Sequence, residues 1–235
     1  MNPTMDQIFA SADQNVTKKL EVLHLSEVRI SSASFTRIRD AEGRYALLVN
    51  KSRAKKGETV LTPIGGALEA TDDGLRELQE LLEIENAAFE KGKDLRFKMS
   101  GAKANKYREW FLSRQNRELS PAREVGEELI DETGLLSLED LEELQCEFCG
   151  YDTELQATAR TGQEGQVTLR LLEIYEAKLK KGIQEKLEAL SKQANSVLHF
   201  VTAEEIRAGQ TVGGIEIGTV SQTLIAPKKT IAEFA

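Results

Sequence analysis

The segment SPAREVGEELIDETG, Ser120 to Gly134, constrains the fold more than any other part of the chain. Ser-Pro is a helix start: serine caps, and proline sits where its missing N–H costs nothing. Gly134 is a helix stop. Strand patterns flank this helix on both sides. Before it, VRISSASFTRIR (Val28 to Arg39), the turn AEGR and the apolar run YALLVNKS (Tyr45 to Ser52) read as strand, turn, strand. A second turn, KKGE, leads into TVLTPIGGALE (Thr59 to Glu69), a short strand carrying one proline and two glycines. After the helix, Cys146 to Thr158 and Gln166 to Lys178 read as strands joined by the turn RTGQEGQ. Ile183, Leu187, Leu190 and Ala194 then recur at helical spacing, and VLHFV (Val197 to Val201) is a strand. Thr202 to Glu205 is a capping box that opens a short helix ending at Gly209. This alternation predicts an α/β fold.

The stretch at about 73–119 behaves differently. Leu75, Leu78, Leu82 and Phe89 recur at helical spacing, with Gly92 as the expected end of that helix. Ala104, Tyr107, Trp110 and Phe111 predict a second helix, whose aromatics are read as the insertion's own small core. Between Lys91 and Arg117 nine Lys or Arg face two acids, a local charge of +7 in a chain of −8. The segment is therefore read as a helical insertion, with 1–24 as an N-terminal extension and 25–235 as one domain.

One face of the Ser120 helix carries Glu124, Glu127, Glu128, Asp131 and Glu132. A solvated acidic face is the ordinary fate of such a run. Against that, Glu124–Glu128, Glu127–Asp131 and Glu128–Glu132 are like-charge i,i+4 pairs, each costing roughly 0.2–0.5 kcal/mol. Carboxylates at i, i+3 and i+4 converge, an oxygen-rich arrangement suited to Mg²⁺, which turns the repulsion into coordination.

The net charge of −8 argues against a general nucleic-acid coat or an anionic-membrane binder, though not against a small anionic ligand held by a local cation or a metal. No basic stretch followed by an apolar core opens the chain, and no apolar run approaches the ~20 residues that span a bilayer, so a soluble cytoplasmic protein is expected. Cys146 and Cys149 form a lone C-x-x-C; His24 and His199 do not complete a zinc set, and the cysteines read as small apolar residues near a strand start.

These residues resemble the Nudix box, G-x5-E-x7-R-E-U-x-E-E-x-G-U with U aliphatic. Pro63, Gly65, Gly66 and Glu69 in PIGGALE are similar to the strand-turn that opens it, Asp72 falls where the first box glutamate is expected, and the spacer is replaced by the helical insertion. REVGEELIDETGLL resembles the box helix in either of two registers. In one, Arg123, Glu124, Val125, Glu127 and Glu128 fill R-E-U-x-E-E, and Ile130 stands where the closing Gly belongs. In the other, Glu128, Asp131, Glu132, Gly134 and Leu135 fill the pattern, with Glu127 in the arginine's place. The resemblance covers roughly residues 25 to 225, and DLRFKMSG…YREWFLSRQNRELSPAREVGEEL is also similar to the SMODS-associated Nudix group of anti-phage operons.

The resemblance implies an α/β/α sandwich around a mixed sheet and a Mg²⁺- or Mn²⁺-dependent hydrolase of a pyrophosphate bond in a nucleoside diphosphate derivative. The alternative is a non-catalytic nucleotide sensor or partner-binding module. The implied metal ligands are Glu124, Glu128, Asp131 and Glu132, and the implied catalytic groups Glu127 and Glu128. Gly65 and Gly66 would let the backbone approach the site closely, and Lys51 and Arg53, on the connection before GGALE, would reach a phosphate. A small nucleotide-type ligand is the expected partner, with nucleic acid binding through the basic insertion and a homodimer as further options.

Overall fold

The computed structural model describes residues 27–157 and 167–225. The expected N-terminal extension and the whole RTGQEGQ turn lie outside them. The described elements run β1 (Glu27–Arg37), β2 (Tyr45–Val49), a one-turn α1 (Lys51–Ala54), β3 (Val60–Ala67), α2 (Asp72–Leu82), β4 (Arg96–Ser100) and α3 (Ala104–Leu112). Then come α4 (Ala122–Gly126, continued by a π-helical Glu127–Glu132), α5 (Leu138–Glu142), β5 (Gln145–Ala157), β6 (Val167–Lys178), α6 (Lys181–Ser191), β7 (Leu198–Val201), α7 (Ala203–Ala208) and β8 (Glu216–Ile217). A 3₁₀ turn over Thr219–Leu224 closes the described chain.

The strands form a mixed sheet in the order β5-β6-β1-β3-β2-β7. β1 and β6 are parallel; the other pairs along that path are antiparallel. β3 splits its pairing. Ile64–Ala67 lie against the second half of β1, while Leu61–Pro63 lie against β2. The first half of β1 instead pairs with β4. Because β1 is central, it is buried on both faces.

Side chains alternate across a strand, so one sheet face carries Val28, Ile30, Leu169 and Leu171 beneath Tyr107, Trp110 and Phe111 of α3. Farther along that face, Ile64 packs under Val125 and Leu129 of α4 and Ile183 and Leu187 of α6. The opposite face carries Ala33, Phe35, Leu172 and Ile174 against Ile206, Ile217 and Leu224. The result is the expected α/β/α layering. Among the described residues, no helix is long and apolar enough to cross a membrane.

The insertion departs from its sequence reading in two ways. Its first helix stops at Leu82, with Glu83 in the left-handed region at φ 51°, well before Gly92. Phe89 belongs instead to the turn beyond, 4.9 Å from the Phe97 ring. Between the two helices lies β4, in which Phe97 and Met99 point inward and Arg96 and Lys98 outward. Its aromatics do not form a separate small core: they join the main sheet. Most of its positive charge is answered by acids. Arg114 and Arg117 pair with Glu173, Lys93 with Asp72, Lys98 with Glu27, Lys103 with Glu83, and Arg96 with Asp94.

Candidate metal centre

The site forms where β3 passes under α4. Val125 and Leu129, both fully buried, fix the rotation of the helix about its axis. Glu124 and Glu128 then come down over Gly65 and Gly66. Gly65 N–H donates to Glu128 Oε2 at 2.7 Å. Gly65 has φ +134°, and a Cβ there would lie 2.1 Å from the Ser34 carbonyl oxygen, so only glycine fits. At Gly66 a Cβ would lie 2.1 Å from Glu124 Oε2; the space a side chain would fill is taken by that carboxylate.

Arg123 organises the helix start. Its Nη1 donates to Glu124 Oε1 at 2.8 Å and to Glu127 Oε1 at 3.0 Å, and its Nη2 to the Ala67 carbonyl at 2.7 Å. Its remaining edge meets Glu118, Nε to Oε1 at 3.2 Å and Nη2 to Oε2 at 3.0 Å. Burial opposes the guanidinium charge, yet the hydrogen bonds it donates to Glu118 and Glu127 more than offset this and raise its pKa.

The two carboxylates sit where charge is disfavoured. Burial, then the neighbouring Glu124, Glu132 and Glu127, push Glu128 up to about 8 despite the Gly65 N–H. Burial also raises Glu124, against the pull of Arg123.

The other acids stand elsewhere. Glu127 is half-exposed beside Arg123. Asp131 is exposed, and Glu132 is tied to Lys51 Nζ at 3.1 Å. From Glu127 the helix is π-helical; the wider turn advances less per residue, which carries Asp131 away from the face of Glu124 and Glu128. Lys51 also donates to the Glu132 carbonyl at 2.9 Å, a cation on the helix C-terminus. Arg53 pairs with Glu58 at 2.9 Å rather than with the glycine turn. Asp72, in the spacing position of the first box glutamate, is exposed and pairs with Lys93 at 2.8 Å. The side chain that meets Arg123 from outside the helix is Glu118, which the sequence reading passed over.

A further residue missed at the sequence level is Ser34. It is fully buried opposite Gly66 in the β1–β3 register, and its Oγ has no hydrogen-bond partner among the described residues. Cys146 and Cys149 are free thiols on β5, and burial raises Cys146 to about 11.

Among the described residues no group of three or more His, Cys, Asp or Glu stands close enough to hold an ion by protein donors alone. Mg²⁺, however, is commonly held by one or two carboxylates, with water and substrate phosphate completing the shell. Two hard oxygen donors brought together over a glycine pair, in surroundings that disfavour their uncompensated charge, fit such an ion.

A family model, the SMODS-associated NUDIX domain, matches residues 27–225. Comparison with curated proteins and with solved structures gave no match. The matched span takes in every described strand and helix, including the insertion and the glycine turn that meets α4. The chain belongs to the SMODS-associated NUDIX domain family.

Proposed function

We propose that the chain is a Mg²⁺- or Mn²⁺-dependent hydrolase of a pyrophosphate bond in a nucleoside diphosphate derivative. The observation that carries this reading is the pairing of Glu124 and Glu128 over Gly65 and Gly66. Glu124 and Glu128 would hold the ion, which supplies charge neutralisation at the pyrophosphate and acidifies the attacking water. Arg123 holds Glu124 and Glu127 in fixed relation. Glu127, the more exposed of the three glutamates, accepts the proton as water attacks phosphorus and the bridging P–O bond breaks. On this reading the register in which Arg123 to Glu128 fill R-E-U-x-E-E is the favoured one, and Asp131 and Glu132 carry no ligand role.

A second reading, a nucleotide sensor without turnover, is favoured by the small protein donor set and by Ile130 in the place of the closing glycine. Calorimetry with nucleoside diphosphate derivatives separates the two. A hydrolase loses productive binding in EDTA. A sensor binds equally well with and without the chelator, and that result, with no turnover, would replace the first reading.

A further inference from the structure

The insertion leaves the box at Glu69–Thr71 and returns at Asn116–Glu118, and these two segments close on each other. Thr71 N–H donates to the Asn116 carbonyl at 2.9 Å, Ala70 and Arg117 form an antiparallel bridge, and Glu118 N–H donates to the Glu69 carbonyl at 2.8 Å. The stem is bolted to the sheet by Arg117, whose fully buried guanidinium meets Glu173 at 2.8 Å and the Phe111 carbonyl at 2.8 Å. Arg114 adds a second contact to the same carboxylate at 2.5 Å. Glu118 therefore has little freedom. One of its oxygens accepts from Glu69 N–H at 3.2 Å, and both accept from Arg123.

We infer that Glu118 is a positioning residue for the metal centre, a role that rests on the reading of Glu124 and Glu128 as ion ligands. Arg123 offers a planar fork of donors. Glu118 occupies the Nε–Nη2 edge, so Glu124 meets the guanidinium only through Nη1, which it shares with Glu127. Remove the charge of Glu118, and the guanidinium has two carboxylates instead of three to balance it. It then binds Glu124 more tightly and competes with a cation for that side chain. The position that spacing selects, Asp72, has no part in this network, because it pairs with Lys93. The carboxylate that meets Arg123 thus comes from the far end of the insertion, Glu118, and not from Asp72 at its near end.

The test is Mn²⁺ binding to the full chain without substrate, read from the electron paramagnetic resonance signal of the free ion. Glu118→Gln keeps the shape and an acceptor for Glu69 N–H but removes the charge. It is expected to weaken Mn²⁺ about tenfold with thermal unfolding unchanged, while Asp72→Asn binds as the unaltered chain does. Equal affinity in Glu118→Gln overturns the inference, as does an equal loss in Asp72→Asn. If Glu118→Gln does not fold, Glu118→Asp decides, since its shorter side chain cannot span both Glu69 N–H and the guanidinium. Weakened Mn²⁺ binding in that variant supports the role, and unchanged binding overturns it. Absence of Mn²⁺ binding in the unaltered chain is a different failure, that of the metal reading itself.

Discussion

Replacing Glu128 by glutamine is expected to stabilise the metal-free chain at neutral and alkaline pH while removing its affinity for a divalent ion. Glutamine is nearly isosteric and still accepts from Gly65 N–H, but it carries no charge into the site. The sign follows from the direction of the shift. Glu128 is raised from an ordinary 4.5 to about 8, so the folded chain holds this proton more tightly than the unfolded chain. Its contribution to stability is present in full below about pH 4.5 and is lost as the pH rises towards 8. At 1.36 kcal/mol per pH unit the displacement sets a ceiling of about 5 kcal/mol. Relaxation and water entry lower this, and a gain of about 1–3 kcal/mol for Glu128→Gln at pH 8 is expected, with almost none at pH 4. Urea unfolding in EDTA, followed by circular dichroism at the two pH values, measures the difference. A variant no more stable than the unaltered chain at pH 8 would refute the argument that burial and three neighbouring acids hold this carboxylate out of its charged form.

Gly66→Ala places a methyl group against the flexible end of Glu124, so stability should change by less than about 1 kcal/mol while Mn²⁺ affinity falls at least tenfold. Gly65→Ala meets backbone rather than side chain, at a φ that L-residues avoid, and should lower unfolding free energy by about 1–3 kcal/mol or more in the same urea assay. Glu173→Gln leaves Arg114 and Arg117 without their shared carboxylate and should cost roughly 3–5 kcal/mol, seen as a lowered urea midpoint.

Much of the fold was legible because it depends on local patterns. The strand-turn-strand before GGALE, the Thr202 capping box, and the helix bounded by Ser-Pro and Gly134 all stand close to where their residues predict. β4 was missed although Leu95, Phe97 and Met99 alternate with Arg96 and Lys98; the density of basic residues hid a period of two. The early stop of α2 at Glu83 was not legible either, since a glutamate carries no left-handed preference and Gly92 drew the boundary outward.

At the site, chain-local chemistry was visible and chain-distant chemistry was not. Periodicity put Glu124 and Glu128 on one face, and the glycine pair marked a close approach. The sequence left two registers open, because a straight α-helix keeps all five acids on neighbouring faces. The π-helical turn separates them, and nothing in GEELIDE announces it. Glu118 escaped notice because its role depends on the insertion closing back on Glu69, and spacing alone pointed to Asp72.

The central claim is that Glu124 and Glu128, and not the acids one turn on, hold an ion for pyrophosphate hydrolysis. The most direct measurement is turnover of a panel of nucleoside diphosphate derivatives and dinucleoside polyphosphates with Mg²⁺ or Mn²⁺. It compares the unaltered chain with Glu124→Gln, Glu128→Gln and Asp131→Asn. The account predicts metal-dependent release of a mononucleotide product, lost by a hundredfold or more in the two glutamine variants and nearly intact in Asp131→Asn. An active Glu128→Gln chain, or an Asp131→Asn chain as impaired as Glu124→Gln, would contradict it.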